Sequence, residues 1–197
     1  EVFKKDSLIQ QVGMQNIDTS YIWEWNKDSS RWERSGRDIE FYKKNHKLLA
    51  VLNQKWLAET SRYVNQKRSI QSYNDRNKVV ESLHQQWDST RNGWVNLKRK
   101  TITYDRLGKK DEVLYQEWKR AVGRWINMNR YLIEYNRMGE KSHLLIKAYN
   151  PEANQWYNYK KYLFRYADGF GPPDAAIVQD WNKTKQEWEK EGRYNMR

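Results

Sequence analysis

The chain has 197 residues, with 11 Trp, 14 Tyr, 4 Phe, 3 Pro and no Cys, a formal net charge of +12 and a mean hydropathy of -1.18. The missing cysteines exclude disulfides, thiolate metal ligands and thiol catalysis, and no apolar run reaches the roughly 18 residues a membrane-spanning helix needs. Rings with a polar handle carry the apolar surface, so low hydropathy is not disorder here. The charge favours anionic partners, but its even spread without a basic block makes nucleic acid a poor fit.

The chain opens on Glu1, which fits a processed signal peptide or a trimmed terminus. Residues 1–20 lack the pattern that follows and are expected to be an N-terminal cap or tether. Residues 21–197 are expected to form a single repeat domain of about five units, because several columns hold phase every 31 residues.

One ring column is Trp25, Trp56, Trp87, Trp118, Tyr149 and Trp181, and a second is Trp32, Tyr63, Trp94, Trp125, Trp156 and Trp188. A third runs Tyr42, Tyr73, Tyr104, Tyr135, Tyr166. Polar columns keep the same register: Gln54, Gln85, Gln116, Lys147 and Gln179 before the first ring, Asn65, Asn96, Asn127 and Asn158 after the second. A basic column, Arg37, Arg68, Arg99, Arg130, Lys161 and Arg193, follows these.

After each column tyrosine come turn residues, as in Asn74-Asp-Arg-Asn77, Asp105-Arg-Leu-Gly108, Asn136-Arg-Met-Gly139 and Asp168-Gly-Phe-Gly171, with Gly or Asn where a positive φ is wanted. Between turns lie strand-length segments rich in Trp, Tyr, Ile and Thr, so each repeat reads as a β-hairpin. The predicted fold is all-β, with tandem 31-residue hairpins forming one antiparallel meander, either an open twisted strip or a closed barrel. Val113, Leu114, Trp118, Val122, Trp125 and Leu132 also fit helical spacing, the alternative that the turn chemistry disfavours.

Period-two alternation groups Trp94, Asn96, Ile102 and Tyr104 on one face and places Arg99 on the other. The rings are either cross-strand ladders of a core, the better reading because burying Trp is so favourable, or an exposed strip. The basic column either stacks on the rings and bonds the Asn and Gln columns, or points outward as a regular positive array. The candidate ligand or partner surface is therefore Arg68, Arg99, Arg130, Lys161, Trp94 and Trp125.

His46, His84 and His143 fall in different columns, so no metal site and no histidine-based catalytic site is expected. No catalytic motif is present, no cofactor is implied, and the chain is read as not an enzyme. Carboxylates of the less regular segment from Asp168 to Asp180 are the one place where a cleft would revive catalysis.

At Thr101-Ile-Thr-Tyr-Asp-Arg-Leu-Gly-Lys109 the sequence resembles the Tyr-Asp repeat of the RHS and teneurin family. With Gln85-Gln-Trp-Asp88, Trp94-Val-Asn96 and Arg99 it is similar to the Trp-rich Tyr-Asp-type repeats of secreted and surface proteins of Bacteroidetes, many exported by type IX secretion. The resemblance implies hairpins in a spiralling sheet, and stalk, shell or adhesive roles. The repeats run to Tyr194-Asn-Met-Arg197 without the β-rich sorting domain expected of a directly exported cargo, which favours a periplasmic or machinery-associated role. The expected function is a non-enzymatic scaffold of a Gram-negative envelope or cell surface that docks on a partner protein. The alternative is an adhesive module holding anionic glycan or lipopolysaccharide on its Trp and Arg columns.

Overall fold

The computed structural model describes residues 14–166 and 171–195. Strands pair in chain order as one 12-stranded antiparallel meander, and β1 and β12 are the two ends of that order, so the sheet is open. The helical spacing around Val113 to Leu132 is not used, because Val113, Leu114 and Trp118 lie in one strand, Val122 in a short 3-10 turn, and Trp125 and Leu132 in the next strand.

The chain divides into two units, Glu1–Arg99 and Lys100–Arg197. The first holds β1 (Met14–Asn26), β2 (Arg31–Lys43), β3 (Leu48–Leu57), β4 (Arg62–Tyr73), β5 (Val79–Asp88) and the start of β6 (Gly93–Tyr104). The second holds the end of β6, then β7 (Lys110–Lys119), β8 (Arg124–Tyr135), β9 (Lys141–Asn150), β10 (Gln155–Arg165), β11 (Ala175–Asn182) and β12 (Glu187–Asn195). Residues 14–20 of the segment read as a cap or tether belong to β1, whose partner is β2; residues 1–13 lie outside the described residues.

Turn chemistry sets where each strand ends. After the tyrosine column, Asn74 Oδ1 accepts the amides of Arg76 and Lys78 at 3.0 Å each, and Asn136 Oδ1 does the same for Met138 and Glu140. The residue that closes each turn sits in the left-handed region: His46 (φ 57°), Asn77 (φ 55°), Gly108 (φ 77°) and Gly139 (φ 83°). At the opposite hairpin end, Asn26, Asp88, Asn150 and Asn182 each accept two amides through Oδ1. Leu57 and Lys119 occupy the same column without an Asx side chain, and there the turn is a 3-10 segment closed by Ser61 or Gly123 in left-handed conformation.

Strands β2, β4, β8, β10 and β12 each carry one extra residue at a fixed place. Ser35, Gln66, Met128, Tyr159 and Glu191 are passed over where the pairing shifts. Such a bulge exchanges the two faces for the rest of the strand. It overturns the alternation expected from sequence: Arg68 lies opposite Leu52, Arg130 opposite Leu114 and Lys161 opposite Leu145, on the face that also carries the ring pairs.

A buried cluster lies in the first unit, where Ile39, Phe41, Leu49, Ala50, Leu52 and Ile70 pack together and Tyr73, Leu83 and Trp94 pack against them. The second unit buries Ile102, Ile146, Ala175, Ala176 and Val178.

Candidate ligand and partner surface

The ring columns meet across each hairpin. Trp25 with Trp32, Trp56 with Tyr63, Trp87 with Trp94, Trp118 with Trp125, Tyr149 with Trp156 and Trp181 with Trp188 are edge-to-face pairs with centroids 4.9 to 5.7 Å apart. They are ladders rather than a strip of parallel platforms, each contributing about 0.5–1.5 kcal/mol beyond its burial.

The polar columns form a relay between repeats. Arg37 Nε donates to Gln54 Oε1 at 2.7 Å while Gln54 Nε2 donates to Asn65 Oδ1 at 2.7 Å. One repeat later Arg68 Nε donates to Gln85 Oε1 at 2.6 Å, and Gln85 Nε2 to Asn96 Oδ1 at 2.7 Å. Each glutamine uses its carbonyl for the preceding arginine and its amino group for its own hairpin, so one side chain links two repeats. The same arginines lie over the next repeat's ring, Arg37 at 4.1 Å from Tyr63 and Arg68 at 4.5 Å from Trp94.

The candidate surface residues are thereby sorted. Arg68 is only 5% exposed and is spent on Gln85 and Trp94, so it presents no charge to a partner, and its membership of an accessible surface is corrected. Trp94 packs against the buried cluster. Trp125 stands edge-to-face to Trp118. Arg99 approaches Glu81 at 3.9 Å. Lys161 lies 5.9 Å from the Trp188 ring. Arg130 departs from the relay, because the glutamine position opposite it is Lys147; its guanidinium turns to Glu112 in two 2.7 Å bonds, which raise its pKa.

The tyrosine column is a latch. Tyr73, Tyr135 and Tyr166 donate their hydroxyls to the carbonyls of Leu48, Lys110 and Lys141 at 2.6, 2.9 and 3.0 Å, each 25 residues back along the chain. Burial raises the pKa of all three and of Tyr104. Tyr63, standing where its column otherwise holds Trp, has a buried hydroxyl with no hydrogen-bond partner.

The three histidines are not brought together. His46 is in a turn, His84 faces Ser69 in the ladder, and His143 contacts Ser142 and Glu134. No group of three or more His, Cys, Asp or Glu that could hold a metal occurs among the described residues. Asp168 lies outside the described residues, and Asp180 is held with Glu191 by Lys160, whose pKa those bonds raise. Glu33, bonded by Asn26, Arg31 and Ser29, is lowered from 4.5 to about 2. An open polar concavity of 1080 Å³ in the first unit is lined by Glu24, Asp38, Asn53, Lys55, Lys67 and Gln86; Asn53 donates to Asp38 at 2.7 Å within it.

Exposed rings collect on the first hairpin, where Tyr21, Trp23, Trp25 and Trp32 are 55%, 49%, 50% and 64% exposed. Column reading did not single out Trp23 or Arg34. The signal was present as a departure, since Trp23 stands in the glutamine column and Arg34 in the asparagine column.

No protein-family model matches the chain, and no curated protein matches it. Among solved structures it is similar to a protein of unknown function from Bacteroides fragilis, with 16% identity, coverage of 78% of this chain and 95% of that one, and a TM-score of 0.46. A DUF3836 family protein from Bacteroides vulgatus aligns at 14% identity over 58% of this chain and 99% of its own, with a TM-score of 0.39. A second DUF3836 family protein, from Parabacteroides distasonis, aligns at 20% identity over 56% and 89%, with a TM-score of 0.34.

Proposed function

We propose that the chain is a non-enzymatic interaction scaffold of a Gram-negative envelope or cell surface, docking on a partner protein within a type IX secretion or gliding assembly. The observation that supports it is the fate of the polar columns: Arg37, Gln54, Asn65, Arg68, Gln85 and Asn96 are spent joining one repeat to the next. Held by these bonds, the side chains brace neighbouring strands, which favours a rigid surface for display. The envelope and secretion assignment rests on the Trp-rich Tyr-Asp resemblance of the sequence.

The partner would meet the hairpin turns, where Leu107 and Met138 project at 82% and 63% exposure one repeat apart. Cross-linking in native cells followed by purification is expected to recover one envelope protein in stoichiometric yield, and Leu107→Glu with Met138→Glu to abolish its recovery. Recovery of no protein, or of the same protein from the double variant, would sink the reading. Of the column residues named for the glycan alternative, Arg68 is buried and Trp94 packs against the core cluster.

A further inference from the structure

The repeat supplies its own control for locating a site. In three interior hairpins the positions next to the ring pair hold an amide pair: Gln54 with Asn65, Gln85 with Asn96, and Gln116 with Asn127, bonded at 2.7, 2.7 and 2.9 Å. In the first hairpin the same positions hold Trp23 and Arg34, which are register partners. The fold does not need this exchange, because an amide pair closes three other hairpins, while Lys147 with Asn158 and Gln179 with Lys190 fill the positions in the last two.

Arg34 sits among rings, 5.3 Å from the centroid of Trp23, 4.9 Å from Trp56, 5.8 Å from Tyr21 and 6.0 Å from Tyr63. It is exposed, and among the described residues no carboxylate or hydrogen-bond acceptor holds its guanidinium. Charge on the hairpin is segregated by face. Asp18 pairs with Glu40, Ser20 with Asp38 and Glu24 with Glu33, so every carboxylate of β1 and β2 lies on one side. The other side carries Tyr21, Trp23, Trp25, Trp32, Arg34 and Arg37 and no acid.

We propose that this ring face of the first hairpin binds a uronate-bearing acidic polysaccharide, with sugar rings on Trp23, Trp25 and Trp32 and a carboxylate on Arg34. The apolar C–H face of a pyranose matches an exposed indole, and a planar guanidinium takes a carboxylate through two parallel bonds. The surrounding rings also place their π faces near the guanidinium, which orients it for a ligand. A peptide strand draws its affinity chiefly from main-chain bonds at a sheet edge, whereas this face offers ring surface and one donor fork. The net charge of +12 steers an anionic polymer toward the chain. The proposal goes beyond the scaffold reading and does not depend on it.

The test is calorimetric titration of the full chain with polygalacturonate, with its fully methyl-esterified form, and with poly-L-glutamate. Polygalacturonate is expected to bind, and esterification to weaken it by about tenfold or more, because only the carboxylate is lost. Arg34→Ala is expected to cost a similar factor, and Trp23→Gln with Arg34→Asn, which installs the interior amide pair and so keeps the fold, to abolish binding. Arg124→Ala removes an exposed charge elsewhere and is expected to leave binding intact. The proposal is overturned if polygalacturonate is not bound at low salt, or if Arg124→Ala weakens binding as much as Arg34→Ala. Equal, Arg34-dependent binding of poly-L-glutamate would also overturn it, by making the ligand any carboxylate chain.

Discussion

The two units of the chain are built from one repeat, yet they treat its arginine differently. In the first, Arg37 and Arg68 bond a glutamine and lie on a ring, with Arg68 buried. In the second, Arg130 turns to Glu112, and among the described residues it makes no contact with the Trp156 ring that its column position would predict. The difference traces to one column, where Gln54 and Gln85 accept from arginine but Lys147, directly opposite Arg130, repels it. A cation is internalised here only where a neutral acceptor awaits it, which is the general condition for burying charge.

Cores differ in the same direction, and the largest expected effect breaks that contrast. Phe41 is 0% exposed at the centre of the first unit's cluster, so Phe41→Ala is expected to cost about 3–5 kcal/mol in urea unfolding. Ile146, 9% exposed, is expected to lose about 2 kcal/mol on truncation to Ala. Equal losses would show that the two units are packed alike. Next in size, Arg68→Ala leaves Gln85 Oε1 without its donor and uncovers Trp94, for an expected cost of about 2–3 kcal/mol. Arg130→Ala breaks a pair whose side chains are 37% and 24% exposed, and is expected to cost under about 1 kcal/mol. Losses of the same size would remove the distinction drawn from the glutamine column.

What the sequence made legible follows from local chemistry. The period, the hairpins, the left-handed Asn77, Gly108 and Gly139 and the ring pairs each rest on residues whose preferences act over a few positions. The bulges were not legible, because Ser35, Gln66, Met128, Tyr159 and Glu191 share no residue type. The undetected extra residue in each of these strands moved Arg68, Arg130 and Lys161 to the other face. The relay was foreshadowed by columns of Arg, Gln and Asn, but not its direction. The first-hairpin cluster was hidden by the same regularity, since a search for recurring residues passes over Trp23 and Arg34, which recur nowhere in their columns.

The tyrosines offer a finer comparison within the first unit. Tyr73 donates to Leu48 at 2.6 Å, so Tyr73→Phe is expected to cost about 1 kcal/mol. Tyr63 has a buried hydroxyl without a partner, so Tyr63→Phe removes an unpaired group and is expected to be neutral or stabilising. Matched urea midpoints for both variants check this; a Tyr63→Phe loss as large as that of Tyr73→Phe would mean the Tyr63 hydroxyl is paired after all.

The smallest expected effect is the most pointed, because it converts one unit's chemistry into the other's. Lys147→Gln places a neutral acceptor opposite Arg130 and a donor opposite Asn158, the two register partners of that position. Arg130 can then leave Glu112 for the carbonyl oxygen of the introduced amide, while the amide nitrogen donates to Asn158, reproducing the bonds made by Arg68, Gln85 and Asn96. The exchange trades a half-exposed ion pair for two hydrogen bonds and relieves a like-charge contact, for an expected gain of about 0.5–1 kcal/mol. Stability alone would not identify the cause, so the measurement is a double-mutant cycle with Glu112→Gln. In the parent chain that second substitution removes the Arg130 pair and should be felt; after Lys147→Gln it should cost almost nothing, because Arg130 has already moved. If Glu112→Gln costs the same in both backgrounds, arginine placement is set by something other than the glutamine column, and the contrast between the units needs another cause.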